Sequence, residues 1–287
     1  MLSAIGMAVA GANLILPSDA LAACVVGGVT VQCGTTTTTD TTFPANSPTD
    51  RDYQGATGVP IQVVVDPGAT VNGYGLSVGN AGVGGVAVTN GGTISVDAGN
   101  TPTAGGTAAL TMKAAGGPIT YTGGDVTNNG AGNGIDAVQT GGVGSVNLVV
   151  GNVSSIAGEG IVVRDVAAST GVSVTTGSVT ALAGGKDGID VQAQGLTGDV
   201  TIVANGAVAA GNAGVAAAVL PAGAAGDVSV TANGSVDARF GIDAENFGSG
   251  DTSVATVGPV TATTGNGVLA ASNGGAVTVT TGQVTST

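Results

Sequence analysis

The 287-residue chain has no histidine, no tryptophan, only three tyrosines and three phenylalanines, and only five basic residues. Without histidine it cannot build a Ser-His-Asp or Cys-His catalytic arrangement, an imidazole metal ligand or a histidine general base. Five lysines and arginines cannot form the basic stripe that displaces counterions from nucleic acid, so we expect no nucleic-acid partner. The same scarcity argues against phosphate chemistry and binding to anionic membranes.

Bulky apolar residues are also scarce, although 43% of the chain is hydrophobic. A thick globular core is normally filled by leucine and aromatic side chains. Here most of the apolar residues are alanine and valine, accompanied by 54 glycines, which suits a thin core between closely spaced backbones. Glycine does not recur at every third position, which excludes collagen. Charged residues make up 8% of the chain, and this low charge together with abundant valine argues against disorder.

The N-terminus has the pattern of a secretory signal peptide, which we place at residues 1–23. An apolar run at Ala4–Leu16 is broken by Pro17-Ser18-Asp19 and followed by the cleavage pattern Ala20-Leu21-Ala22. The run is short for a transmembrane helix. No basic residue precedes Arg51, so we expect the chain to start downstream of the natural start. The alternative is a buried or disordered N-terminal helix.

Cys24 and Cys33 bracket two short β-like runs around Gly27-Gly28. A hairpin at these glycines would place the two thiols opposite each other. In an exported protein, two nearby cysteines most simply form a disulfide, which we therefore predict. Leu21–Cys24 also matches the pattern in which a cysteine is lipidated after cleavage, so a lipid anchor on Cys24 is the alternative.

The rest of the chain repeats three short signatures in a fixed order. The first is Gly-Ile/Val-x-Ala/Val, and its copies start 26 to 28 residues apart. Those copies begin at Gly134, Gly160, Gly188, Gly214, Gly241 and Gly267. The second is an alternating strand that begins at Val146, Val172, Val200, Val228 and Val277, with a weaker copy around Val254. The third is Gly-x-Val-x-Ala or a near variant, at Gly151, Gly177, Gly206, Gly234, Gly258 and Gly282.

This period predicts a solenoid, and the alternation of each signature predicts strands. Helix formers are too scarce for one helix per repeat, and a propeller blade would need four longer strands. We therefore predict an all-β parallel β-helix (β-solenoid) over residues 59–287, with three short strands per coil and a period of about 27 residues. The glycine before each strand is expected to adopt a positive φ at a tight corner.

The predicted strands have an inward and an outward face. Outward positions should be Thr, Ser and Asp, and the residues expected to point inward are Val172, Val174, Val200, Ile202, Val228 and Val230. Residues 24–58 are predicted to form an N-terminal cap with the cysteine-bracketed hairpin, because stacked coils need protected ends. The sequence stops in mid-pattern at Val284–Thr287, so we expect the solenoid to be truncated there, as a fragment or a truncated gene product.

The order of signal peptide, cysteine-bracketed hairpin, Pro67–Val71 and Gly-Ile-Asp-Ala coils resembles the N-terminal passenger of a bacterial autotransporter. The resemblance covers about residues 1–287. It implies a right-handed β-helix on the surface, or in the medium, of a Gram-negative bacterium, with adhesion or surface display as its role. It also implies an outer-membrane β-barrel translocator. The chain lacks the amphipathic strands with aromatic girdles of such a barrel, so we expect the translocator on a missing portion.

Asp199, Asp227 and Asp251 are the candidate calcium ligands. They precede the second signature in three consecutive coils, so they should form an acidic row with steps of about 4.8 Å. Calcium takes oxygen ligands, and such a row could offer a weak site. The alternative is that these are solvated turn residues, since Asp is common in turns.

A second set of acids occupies one position of the Gly-Ile-Asp signature. Asp136, Asp190 and Asp243 alternate along the coils with Val162, Ala216 and Leu269. They should therefore stand about 9.6 Å apart, too far to share one calcium ion. Gly184–Gln192 approaches the calcium-binding nonapeptide pattern, but Asp187 replaces one glycine and the period differs.

We expect no catalytic residue and no cofactor. The leading hypothesis is a non-catalytic β-helical passenger that binds a host or environmental surface ligand. The alternative is a polysaccharide-active enzyme, based on Asp187, Asp190 and the adjoining Lys186; such an enzyme should show clustered carboxylates with basic and aromatic neighbours on one face. The third hypothesis is a surface- or ice-binding solenoid, suggested by the threonines of Ser173–Thr176 and Thr278–Thr281 but interrupted at Val200–Val203.

Overall fold

The computed structural model describes residues 24–34, 37–39, 52–100, 108–165, 170–195, 197–220 and 224–287. The predicted signal peptide lies outside these residues. The described chain is an all-β solenoid of about 8 turns with a period of about 26 residues, which confirms the predicted fold class. The described residues contain no helix of the length and apolarity that crossing a membrane requires.

Two sheets form the walls of the solenoid, and their strands are numbered β1 to β28 along the chain. The narrow sheet consists of β4 (Asp52–Gly55), β7 (Leu76–Asn80), β9 (Ala108–Ala114), β11 (Asn133–Gln139), β14 (Ile161–Asp165), β17 (Ile189–Ala193), β20 (Ala213–Val219), β23 (Phe240–Asn246) and β26 (Val268–Ser272). The wide sheet consists of β1 (Val25–Gly27), β2 (Thr30–Cys33), β3 (Thr37–Thr38), β5 (Ile61–Val65), β6 (Thr70–Asn72), β8 (Val86–Val96), β10 (Ile119–Asn128), β12 (Val146–Val150), β13 (Val153–Ser155), β15 (Gly171–Thr176), β16 (Val179–Ala181), β18 (Asp199–Ala204), β19 (Val208–Ala210), β21 (Val228–Ala232), β22 (Val236–Ala238), β24 (Thr252–Thr256), β25 (Val260–Ala262), β27 (Val277–Thr280) and β28 (Val284–Ser286).

Successive coils pair in parallel, residue over equivalent residue. In the narrow sheet, Ile135 pairs with Ile161 and Ile161 pairs with Ile189. Equivalent inward side chains therefore stack into ladders along the axis, which is how small valines and alanines fill a thin core. The six residues predicted to point inward from the wide sheet are all at most 2% exposed, which confirms their predicted orientation.

The glycine of the first signature does not play the predicted role. Of the six copies of this glycine from Gly134 to Gly267, none has a positive φ, so the expected corner conformation is wrong for them, whereas Gly75 and Gly85, which precede β7 and β8, do have positive φ values of 74° and 79°. The six copies are instead needed for close packing: a Cβ on Gly188 would lie 2.6 Å from Cγ1 of Val208 and 2.5 Å from the carbonyl oxygen of Gly214. The first signature thus leaves room for the valine of the third, which explains why the two recur together.

The N-terminal hairpin forms as predicted. β1 pairs antiparallel with β2 through a turn at Gly28, whose φ is +63°, and Cys24 is disulfide-bonded to Cys33. The parallel ladder already begins in the segment predicted as a cap, because β2, β3 and β4 pair with β5, β6 and β7. Among the described residues, β1 is the strand that pairs with the outer edge of the first coil.

We expect the disulfide to stabilise this end of the solenoid locally. Closing a loop of this length contributes about 2–3 kcal/mol. A Cys24→Ser/Cys33→Ser variant should therefore show faster amide exchange at Val26 and Val31, with exchange in β8 and later strands unchanged. In the exported wild-type chain, an alkylating reagent should add no mass before reduction. Alkylation without reductant, or a diacylglycerol on Cys24, would contradict the assignment.

Candidate functional site

The acidic row Asp199, Asp227 and Asp251 links neighbouring coils. Oδ1 of Asp199 accepts a hydrogen bond from the backbone N–H of Asp227 at 2.9 Å, and Oδ1 of Asp227 accepts one from Asp251 at 2.7 Å. Oδ1 of Asp251 accepts from the N–H of Ala276 at 2.7 Å. Each carboxylate therefore satisfies one amide of the next coil, which gives the row a structural role. Calcium binding by these residues stays a prediction.

The carboxylates that converge most closely within the described residues are those of Glu159, Asp187 and Asp190. Each offers an oxygen within 4.8 Å of the others, and we call them the acidic cluster. The sequence prediction identified Asp187 and Asp190 but missed Glu159. Glu159 directly precedes the glycine of its first-signature copy, as Asp187 does in the next coil, so aligning the two copies would have revealed the stacking.

Two members of the acidic cluster are held by structural contacts. Oδ1 of Asp187 accepts hydrogen bonds from Nδ2 of Asn212 at 2.7 Å and from the backbone N–H of Ala213 at 2.8 Å. Asp190 forms an ion pair with Arg164 at 2.5 Å, and its side chain is only 9% exposed. Both carboxylates thus join one coil to the next. In Gly184–Gln192, the segment that approaches the calcium-binding nonapeptide pattern, Asp187 and Asp190 make these contacts between coils.

Glu159 differs electrostatically from its neighbours. Burial raises the pKa of its carboxyl, and the charges of Asp190 and Asp187 raise it further, while Lys186 and Arg164 oppose the shift. A carboxyl with a raised pKa keeps its proton to higher pH and can act as a proton donor. The acidic cluster therefore places a carboxyl of raised pKa beside two further carboxyl groups and two basic neighbours.

Phe240 is an aromatic residue in register with the acidic cluster, two coils beyond Asp187. Phe240 follows Ala213 in the ladder that continues beyond Asp187. Its ring lies against the backbone of Gly265, since a Cβ on that glycine would overlap the ring, and the guanidinium of Arg239 lies 5.2 Å from its centroid. The face therefore has clustered carboxylates and basic neighbours, whereas Phe240 is engaged elsewhere.

Asp136, Asp190 and Asp243 stand two coils apart on the outer face of the narrow sheet, as their spacing predicted. The register places Val162 between the first two and Ala216 between the last two. Among the described groups, Oδ1 of Asp243 is buried without a hydrogen-bond partner. Burial raises the pKa of Asp243, and the charges of Glu245 and Asp187 add to the shift.

We expect Asp243 to make stability fall as pH rises. The folded pKa lies above the ordinary value of 3.8, so the stability lost through ionisation begins above that pH and is complete once pH has passed the folded pKa. Asp243→Asn should therefore be more stable than the wild type at neutral pH, by up to about 1 kcal/mol for this half-buried group, and equal to it in acid. Asp237→Asn, at an exposed position, is the control. Denaturant unfolding at several pH values measures both, and equal pH profiles of Asp243→Asn and the wild type would contradict the expectation.

The predicted threonine arrays lie on the outer face of the wide sheet. Ser173 and Thr175 point outward, whereas Thr176 is buried. At the predicted interruption, Val200 and Ile202 point inward, while Thr201 and Val203 continue the outward columns. The threonine array of Ser173–Thr176 is therefore interrupted at one outward position of the next coil, where Val203 takes the place of Thr175.

The edge of this face is indented near Gly171. An open depression of about 350 Å³ lies there, between Ser145 and Asn147 on one side and Asp199 and Thr201 on the other. Gly171 contributes no side chain, and its φ is +135°. Asn147, Ser173 and Thr201, which point outward from successive coils, all line this depression.

Comparison of the chain with protein-family models, with curated proteins and with solved structures finds no match in any of the three.

Proposed function

We propose that this protein is a non-catalytic β-solenoid displayed on the surface of a Gram-negative bacterium or secreted from it, as an autotransporter-like passenger for adhesion or surface display. The observation that carries the proposal is a stack of parallel coils with a disulfide-bonded hairpin at its N-terminal end. Disulfides persist in oxidising, extracytoplasmic compartments. A solenoid built from repeats of small residues presents long lateral faces to a ligand.

The acidic residues support a display role as well. Asp199, Asp227 and Asp187 each use a carboxylate oxygen to bind an amide of the neighbouring coil, and Asp190 is neutralised by Arg164. These contacts give the acidic residues a role in holding neighbouring coils together, and this role requires no substrate. The ligand is then expected to contact a lateral face of the rod.

Localisation is the first test. Intact cells that produce the full chain are treated with protease and then fractionated, with detection by an antibody against the rod. We expect the chain at the cell surface or in the medium, with Cys24 and Cys33 oxidised. A chain found inside intact cells with reduced thiols would overturn the proposal.

A polysaccharide-active enzyme is the second candidate, favoured by the acidic cluster and the raised pKa of Glu159. The coil that follows Asp187 and Asp190 carries Ala213, Ala216 and Ala218. These small side chains leave room for an extended chain of sugars. Under this alternative, Glu159 would be the general acid.

The two candidates are separated by assaying release of reducing ends or unsaturated products from neutral and acidic polysaccharides. The display proposal expects no turnover by the full chain. Turnover that is lost in Glu159→Gln but kept in the exposed control Asp237→Asn would establish the enzyme instead.

A further inference from the structure

The outer face of the wide sheet carries two regular columns of short side chains, which we call the hydroxyl lattice. The first column is Thr120, Asn147, Ser173, Thr201, Ser229, Ser253 and Thr278. The second column is Thr122, Val149, Thr175, Val203, Thr231, Ala255 and Thr280. Each column runs without a shift in register through β10, β12, β15, β18, β21, β24 and β27.

The register fixes both spacings of the lattice. Equivalent residues in successive coils are about 4.8 Å apart, and outward residues on one strand are about 6.6 Å apart. The second column alternates threonine with valine up to Thr231, and the two side chains have nearly the same shape. In the second column methyl groups therefore repeat at each of these levels and hydroxyls at alternate levels, while the first column carries a hydroxyl at every level except Asn147.

The lattice is rigid because the layer beneath it is closely packed. Val174, Ile202 and Val230 stack directly under its centre and are at most 1% exposed. Parallel ladder hydrogen bonds hold each strand to both neighbours. Side chains that are ordered before binding lose little conformational entropy when a ligand arrives.

The lattice is uncharged in a chain whose formal net charge is −13. None of the positions in either column, all of which the structure describes, is acidic or basic. The acidic row Asp199, Asp227 and Asp251 runs along the margin of this face, and the acidic cluster lies on the narrow sheet. An uncharged face offers no electrostatic attraction to a cation or to a charged polymer.

The lattice also leaves hydroxyls available. Within the described part of the chain, the hydroxyls of Thr175, Thr201 and Thr231 have no partner in the protein. No aromatic residue belongs to either column, so the lattice lacks the rings on which sugars of a crystalline polysaccharide would stack. The ligand that fits is an uncharged, rigid array with a similar repeat and both donors and acceptors.

We propose that the hydroxyl lattice binds the surface of ice. Oxygen atoms in hexagonal ice repeat at spacings comparable to the two spacings of the lattice. Hydroxyls can hydrogen-bond to lattice waters, and the intervening methyl groups favour ordered water around them. The inference deepens the proposed function by naming the face and its ligand, and it rests on the display role only for its biological setting.

The narrow sheet provides an internal comparison. It has the same coil spacing, but its outer face presents Arg164, Asp190 and Glu245 as well as small residues. Charges of both signs hold water in orientations that differ from one coil to the next, so this face cannot match a uniform water lattice. Substitutions there test whether any change in surface charge, rather than a change in the lattice, affects binding.

The experiment is slow growth of ice in a solution of the full chain, with measurement of the fraction of protein incorporated. The lattice variant is Thr175→Lys/Thr231→Lys, and the matched control is Gln192→Lys/Ala218→Lys on the narrow sheet. We expect the wild type and the control to enter the ice and the lattice variant to fall to the level of a protein that ice excludes. Circular dichroism verifies the fold, and Thr201→Ala/Thr231→Ala removes hydroxyls without adding charge should the lysine variant unfold.

Exclusion of the wild type from ice, or equal loss in the lattice variant and the control, would overturn the inference. Retention on crystalline cellulose or chitin above freezing, lost in the lattice variant while ice incorporation is absent, would overturn it in favour of a polysaccharide. These results are distinguishable from failure of the proposed function. A surface-located chain that ice excludes refutes only the ligand, and an intracellular chain that enters ice refutes only the location.

Discussion

Replacing Gly188 with alanine is expected to destabilise the protein by about 3 kcal/mol or more. The added Cβ would lie 2.6 Å from Cγ1 of Val208 and 2.5 Å from the carbonyl oxygen of Gly214. Val208 could rotate, but the carbonyl belongs to the backbone of the next coil and cannot move without disturbing the ladder. The loss should appear in guanidinium unfolding followed by far-ultraviolet circular dichroism, since the chain has no tryptophan for fluorescence.

Gly184→Ala is the matched control for this substitution. Gly184 lies in the turn of the same coil, and a Cβ there would have no neighbour within 4 Å. Its free energy of unfolding should stay within about 0.5 kcal/mol of the wild type. Should the two alanine variants unfold at the same denaturant concentration, the close-packing role of the first-signature glycine would be wrong.

Ile202→Ala should cost about 2–4 kcal/mol, because it opens a cavity in a core only one side chain thick. Ile202 is fully buried and pairs with Val174 and Val230 in the flanking coils. The neighbouring Val203 points outward, so Val203→Ala should cost less than about 1 kcal/mol.

The damage from Ile202→Ala should also be local. In a solenoid each coil contacts only its neighbours, so coupling decays along the axis. Amide exchange should accelerate at Val174 and Val230 and remain unchanged at Val88. Acceleration of the same size at all three would mean that the solenoid unfolds as one cooperative unit, contrary to this expectation.

Much of the fold could be predicted because two periodicities act together. Alternation within each signature fixes which side chains face inward, as at Val172 and Val174, and the 26- to 28-residue spacing fixes which residues stack. The disulfide followed from two cysteines flanking a short hairpin. Each of these signals is carried by residues that are close in sequence or identical between repeats.

The features that escaped prediction depend on contacts between unlike residues of different coils. Glu159 lies close to Asp187 because the register stacks two positions that are 28 residues apart in the sequence. Both positions directly precede the first signature and are not part of its repeated pattern. The close approach at Gly188 depends on Val208, which belongs to another signature.

Buried asparagines form another class of contact that local sequence did not reveal. The sequence patterns singled out neither Asn80 nor Asn246, and both are only 2% exposed inside the solenoid. Nδ2 of Asn80 donates to the carbonyl of Gly85 at 2.9 Å, and Nδ2 of Asn246 donates to that of Gly226 at 2.8 Å. Their role is to satisfy carbonyls where the chain turns between sheets.

The direction of the hydrogen bonds gives the rod a particular response to tension. Strands cross the axis, so the bonds between coils lie along it, and a pull on the two ends loads one interface at a time. Each coil of about 26 residues that peels away would add roughly 90 Å of extended chain. The crosslink between Cys24 and Cys33 would hold the first hairpin together throughout. A tether built this way lengthens in even steps under load and dissipates force at each one.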